Sequence, residues 1–114
     1  MPRYLSLFTY TPEALDRLVR EPQDRSAFIR EVQEARGGKL LAFYHMGEGD
    51  LHGMAITEEA DYELGPAPVW ATQAAGHLES IRVIELYTPE ETMEAIRKMG
   101  DIGFRGPSGG DGSS

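Results

Sequence analysis

The chain has 114 residues, a length that fits one domain and leaves no room for a second core. It contains no cysteine, which excludes disulfides, thiolate metal sites and cysteine nucleophiles. Its formal net charge of −8 disfavours nucleic acid and anionic membrane surfaces, because phosphate contacts need clustered Lys and Arg.

The segment Tyr4 to Tyr10 (YLSLFTY) is aromatic and apolar and stops at Thr11-Pro12, as a first strand would. Thr11-Pro12-Glu13 then opens a helix: Thr as N-cap, Pro at the first helical position, Glu beside the positive dipole end. Leu15, Leu18 and Val19 form its expected buried stripe, and Pro22 breaks it near Glu21. A second piece runs from Asp24 to Arg36, with Phe28, Val32, Ala35 and Ile29 as the apolar face, and ends at Gly37-Gly38. Along both pieces Arg17, Arg20, Glu21, Asp24 and Arg25 interleave their charges, the pattern of a solvated face.

Leu40 to His45 and Leu51 to Thr57 read as strands 2 and 3, joined by the polar turn Met46-Gly47-Glu48-Gly49-Asp50. Glu58 to Pro68 is irregular and acidic. A helix is expected from Pro68 to Leu78, and Ser80 to Tyr87 is strand 4. Thr88-Pro89-Glu90-Glu91 repeats the earlier capping logic and starts a last short helix with Met93, Ile96 and Met99 as its stripe. Residues 1–99 make the domain, and the glycine- and serine-rich residues 100–114 are expected to be a disordered tail. No window approaches the roughly 20 apolar residues of a spanning helix. The opening Met1-Pro2-Arg3-Tyr4 lacks the apolar stretch of a signal peptide, so the expected location is cytoplasmic.

The order β-α-β-β-α-β is that of an α+β, ferredoxin-like fold with a four-stranded antiparallel sheet. The opening PRYLSLFTYTPE, the P-x-D-R stretch followed by GGKLLAFY, and the final LYTPEE together resemble the GYD-domain family over about residues 2 to 92. That resemblance implies the ferredoxin-like fold and kinship with dimeric α+β barrel proteins, and it implies no settled activity or cofactor. The family is named for a Gly-Tyr-Asp signature in the strand 2–strand 3 turn; here the turn reads Gly47-Glu48-Gly49-Asp50, with glycine where the tyrosine is expected. The residues themselves point toward association. Leu51, Gly53 and Ala55 alternate with His52, Met54 and Ile56, and Ile84 and Leu86 with Ile81 and Val83, so both sheet faces carry apolar groups and both need cover. A second copy of the chain is the simplest cover, which makes the expected partner the chain itself.

Three clusters could carry chemistry. A turn centred between Glu48 and Gly49 would set His45 across from His52, Phe43 across from Met54 and Leu41 across from Ile56, with opposed Cβ atoms about 5 Å apart. Two imidazoles with Glu48 and Asp50 nearby are the donor set of a zinc or non-haem iron site; an amphipathic strand end with a solvated acidic turn is the plainer explanation. The second cluster is Trp70, Gln73 and His77, which share a face of the expected helix. Some dimeric α+β barrel enzymes, including haem-degrading and cofactor-independent monooxygenases, place a helix histidine and a tryptophan beside a pocket between helix and sheet. They commonly use a strand 1 asparagine; this chain has none, so Thr9 or Ser6 would have to serve. Otherwise Trp70 is a core anchor and His77 a surface or C-terminal-turn residue. Third, Glu85 shares a face with Ile81 and Val83, the face expected to meet another subunit, as a base of raised pKa or as the partner of an arginine. Two readings remain open: an oligomeric module that binds a small ligand at Thr9, His52, Trp70 or His77 or simply assembles, and a small enzyme, monooxygenase-like or metal-assisted.

Overall fold

In the computed structural model, residues 2–47, 49–59 and 66–101 are described. The elements are β1 (Arg3–Tyr10), α1 (Pro12–Arg20), α2 (Arg25–Ala35), β2 (Lys39–His45), β3 (Gly53–Glu58), α3 (Ala67–Ala74), β4 (Leu78–Leu86) and α4 (Pro89–Asp101). The strands form one antiparallel sheet in the order β2-β3-β1-β4, the arrangement of a ferredoxin-like fold.

Local chemistry sets the element ends. Thr11 caps α1 through its hydroxyl, which accepts the Ala14 N–H at 3.1 Å, with Pro12 at the first helical position. Asp24 does the same for α2, accepting the Ser26 N–H at 2.9 Å. At the end of α2, Gly37 takes φ +82°, its N–H reaches the Glu34 carbonyl and the Gly38 N–H reaches that of Gln33. This is a Schellman closure, and it requires a residue that tolerates positive φ. Thr88 and Glu91 cap α4 reciprocally: the Glu91 N–H donates to the Thr88 hydroxyl and the Thr88 N–H to the Glu91 carboxylate.

Pairing assigns the sheet faces. Tyr4, Ser6 and Phe8 of β1 stand opposite Thr57, Ala55 and Gly53 on one side and Glu85, Val83 and Ile81 on the other. Every buried strand residue, namely Phe8, Tyr10, Leu40, Gly53, Ala55 and Thr57, belongs to this face. Leu5, Leu7, Met54, Ile56, Ile84 and Tyr44 occupy the opposite face, and none of them is buried. Glu85 therefore lies on the face that holds the core, and the free apolar face is the other one.

Several expectations change. A shift between Leu40 and Ala42 leaves Leu41 without a partner, and His45 pairs with Gly53, Phe43 with Ala55 and Tyr44 with Met54. The register is thus one residue off the expected His45–His52 opposition. His52 precedes β3 because its N–H goes to Phe8 and its carbonyl takes the Met46 N–H, which lengthens the turn. Helix α3 ends at Ala74 and Gly76 turns the chain with φ +83°, so His77 is off the helix and does not share a helical face with Trp70 and Gln73. Trp70 is 67 % exposed and anchors no core in this chain. In α1 Val19 is exposed, and in α2 Phe28 and Val32 face outward while Gln33 is buried. The inward face of α2 is rotated from its apolar stripe because Gln33 donates to Glu59 at 2.7 Å and its carbonyl receives the Gly38 N–H. α4 continues through Asp101, while residues 102–114 of the expected tail lie outside the described residues.

Candidate functional site

The site grows from the C-terminal end of β1. Phe8 lies over Gly53, where an added Cβ would collide with its ring, and it meets Phe43 at 5.9 Å and Tyr10 edge-on at 5.4 Å between ring centroids. Tyr10 extends this aromatic row to the end of the strand and collects polar partners. Its hydroxyl is 3.2 Å from His45 Nε2, its N–H donates to His52 Nδ1 at 2.9 Å, and the His52 ring stacks on its own at 5.9 Å. His45 in turn meets Phe43 edge-on at 5.1 Å. The two histidines named from sequence are therefore brought together, through Tyr10 and not by facing each other.

This arrangement fixes chemistry at His52. With Nδ1 accepting the Tyr10 N–H, the neutral ring carries its proton on Nε2, and coordination of a metal through Nδ1 would orphan a backbone donor. Glu48 lies outside the described residues, and Asp50 contributes its backbone carbonyl to the Thr9 hydroxyl at 2.6 Å. Thr9 is thus spent on holding the turn, and among the described residues no three His, Asp or Glu side chains converge on a metal-sized centre. Burial pushes the Tyr10 phenol above its ordinary pKa, and the nearby Arg25 guanidinium partly opposes this.

On its other side Tyr10 borders a half-open cleft of about 80 Å³. Ala14, Arg17 and Leu18, one face of α1 at i, i+3 and i+4, form one wall, and Gln23, Arg25 and His77 complete it. Thr11 positions His77 there: its N–H donates to the His77 carbonyl at 3.0 Å and its hydroxyl to the Gly76 carbonyl at 3.1 Å. The residue that caps α1 therefore also clamps the α3–β4 connection against it. Arg25 is steadied by the Phe28 ring, 5.7 Å from its guanidinium carbon.

Of the other sequence candidates, His77 joins this cleft while Trp70 lies exposed on α3. Glu85 is exposed and hydrogen-bonds Tyr87, whose phenol it holds above the usual value. Tyr10, Arg17 and Arg25 were missed as site residues. The arginines have the same spacing pattern as solvated charges, and the signal that could have found them was the Ala14-Arg17-Leu18 periodicity, which puts one guanidinium on a half-apolar face.

No curated protein matches the chain at a significant level. The model of the GYD domain matches residues 4–96, most of the chain, including all of the sheet but Arg3 and the whole of the Tyr10 site. The chain belongs to the GYD-domain family.

Proposed function

We propose that this chain is a homo-oligomeric small-ligand-binding module, assembled through its uncovered apolar surfaces and taking its ligand in the cleft beside Tyr10. The observation that carries the reading is α4. Its stripe of Met93, Ile96 and Met99 is 53 %, 59 % and 42 % exposed, and no residue of the helix is buried. An isolated helix of this length is marginal in water, so a partner surface must supply its stability. The free sheet face of Leu5, Leu7, Met54, Ile56 and Ile84 offers a second patch of the same kind, and a second copy is the cover that satisfies both by symmetry. Light scattering across a dilution series tests this: a mass of two or more chains at every accessible concentration is expected, and a stable monomer overturns the assembly.

A second reading, a small enzyme, is favoured by one contact. The Tyr10 hydroxyl and His45 Nε2, 3.2 Å apart, are a phenol–imidazole pair able to pass a proton. A reaction lost in both Tyr10→Phe and His45→Gln, with the folded state intact, would establish it.

A further inference from the structure

We propose that the Tyr10 cleft binds a small monocarboxylate, with the carboxylate held by Arg17 and Arg25 and the short apolar tail against Ala14 and Leu18. This rests on the ligand-binding reading of the same cleft and names the class of ligand.

The lining is the first argument. In a chain of net charge −8, the described residues that line this cleft include two arginines, a histidine, a glutamine and a tyrosine, and among them there is no carboxylate. Such a local reversal of sign favours an anion. Two acids of the α1–α2 segment are engaged elsewhere. Asp16 is paired with Arg20 at 3.0 Å, and Asp24 accepts both the Ser26 N–H and its hydroxyl. Among the described residues the ion pairs involve Arg3, Arg20 and Arg97, and neither Arg17 nor Arg25 takes part in one.

Size and shape narrow the class. A water needs on the order of 10–15 Å³ of such space, so a cleft of about 80 Å³ takes a molecule of only a few heavy atoms. A nucleotide or a peptide is too large. Guanidinium forks match the planar, two-oxygen geometry of a carboxylate, and Tyr10, Gln23 and His77 offer further polar groups at the rim. Ala14 and Leu18 cannot hydrogen-bond through their side chains and suit a short hydrocarbon tail better than the all-polar surface of phosphate.

The test is an NMR titration of the full chain with sodium propionate, propionamide and inorganic phosphate at constant ionic strength. Propionate is expected to shift the amides of Ala14, Arg17 and Arg25 and the ring of His77 saturably. Propionamide, of the same shape without the charge, should bind about tenfold more weakly, as loss of a charge-assisted hydrogen bond implies. Arg17→Gln, on an exposed helix position that leaves folding intact, should weaken propionate by a similar factor, while Arg20→Gln should not. Arg25→Lys keeps the charge and loses the fork, and should fall between wild type and Arg17→Gln. Equal binding of propionamide overturns the carboxylate and leaves the cleft as a binding site for neutral molecules. Phosphate binding tighter than propionate, an unchanged affinity in Arg17→Gln, or no saturable shift with propionate each overturns the proposal, and none of these bears on the mass measured by light scattering.

Discussion

Tyr10 is the residue on which the site turns. One side chain closes the aromatic row begun by Phe8, accepts or donates at His45 and walls the cleft, while its backbone N–H fixes His52. Its raised pKa means that the folded protein holds the phenolic proton more tightly than the unfolded chain. Stability from this group is complete below the ordinary tyrosine pKa of about 10 and is lost as pH rises through the folded value. Phe8 has a comparable dependence on its neighbour. Because the ring occupies the place a side chain at Gly53 would take, Gly53→Ala should destabilise the protein by about 1–3 kcal/mol in denaturant unfolding, the usual cost of overpacking. Gly49→Ala tests a different mechanism: among the described residues nothing lies near its Cβ position, and φ +79° is what resists a side chain. Its cost should be about 1–2 kcal/mol, from the left-handed backbone alone. The same φ gives a physical reason for glycine where the family signature has tyrosine.

At the scale of elements, the helix starts behave as their sequences dictate. Thr11, Asp24 and Thr88 all cap, and the capping interactions lower the carboxyl pKa of Asp24 and Glu91: Ser26 holds the first, and the Thr88 N–H holds the second. The sign follows from linkage. Folded values below the unfolded ones stabilise the helices above the ordinary carboxylate range, and that contribution disappears as pH falls through the depressed folded values. Circular dichroism during acid titration should show α4 helicity falling at lower pH than an unperturbed glutamate would titrate. In Glu91→Gln, which can still accept the Thr88 N–H but has no titrating group, that acid-dependent loss should vanish, and an unchanged titration would show that the cap does not control the helix end. Strand pairing was less legible. The Leu41 irregularity shifts the hairpin by one residue, and no residue type in LLAFYH announces a bulge.

For the whole molecule, the balance of burial matters most. Among the described residues the buried apolar side chains are Phe8, Tyr10, Leu40 and Ala55, a small core for a chain of this size. Phe28, Tyr44, Trp70, Ile84 and the α4 stripe stay exposed. If a second copy covers α4, Ile96→Glu puts a charge in the middle of that contact. The expected result is a monomer by light scattering together with a lower melting temperature, because the helix then has nothing to pack on. An unchanged mass would move the contact to the free sheet face.

The sequence by itself determined the element order, the helix caps, the glycine stop after α2 and the family, because each depends on chemistry within a few residues of chain. Two-faced apolar alternation was equally visible, since it needs only the period of a strand. The tertiary structure decided the rest. It moved the β2–β3 register by one, turned His77 off its helix, left Trp70 exposed, and drew His45 and His52 onto Tyr10. Each of these depends on contacts between residues tens of positions apart, where one unpaired residue or one positive-φ glycine redirects side chains that local periodicity cannot follow. The cleft shows this most clearly: Arg17, Arg25 and His77 read as unrelated surface charges until Thr11 ties the α3–β4 connection to the start of α1.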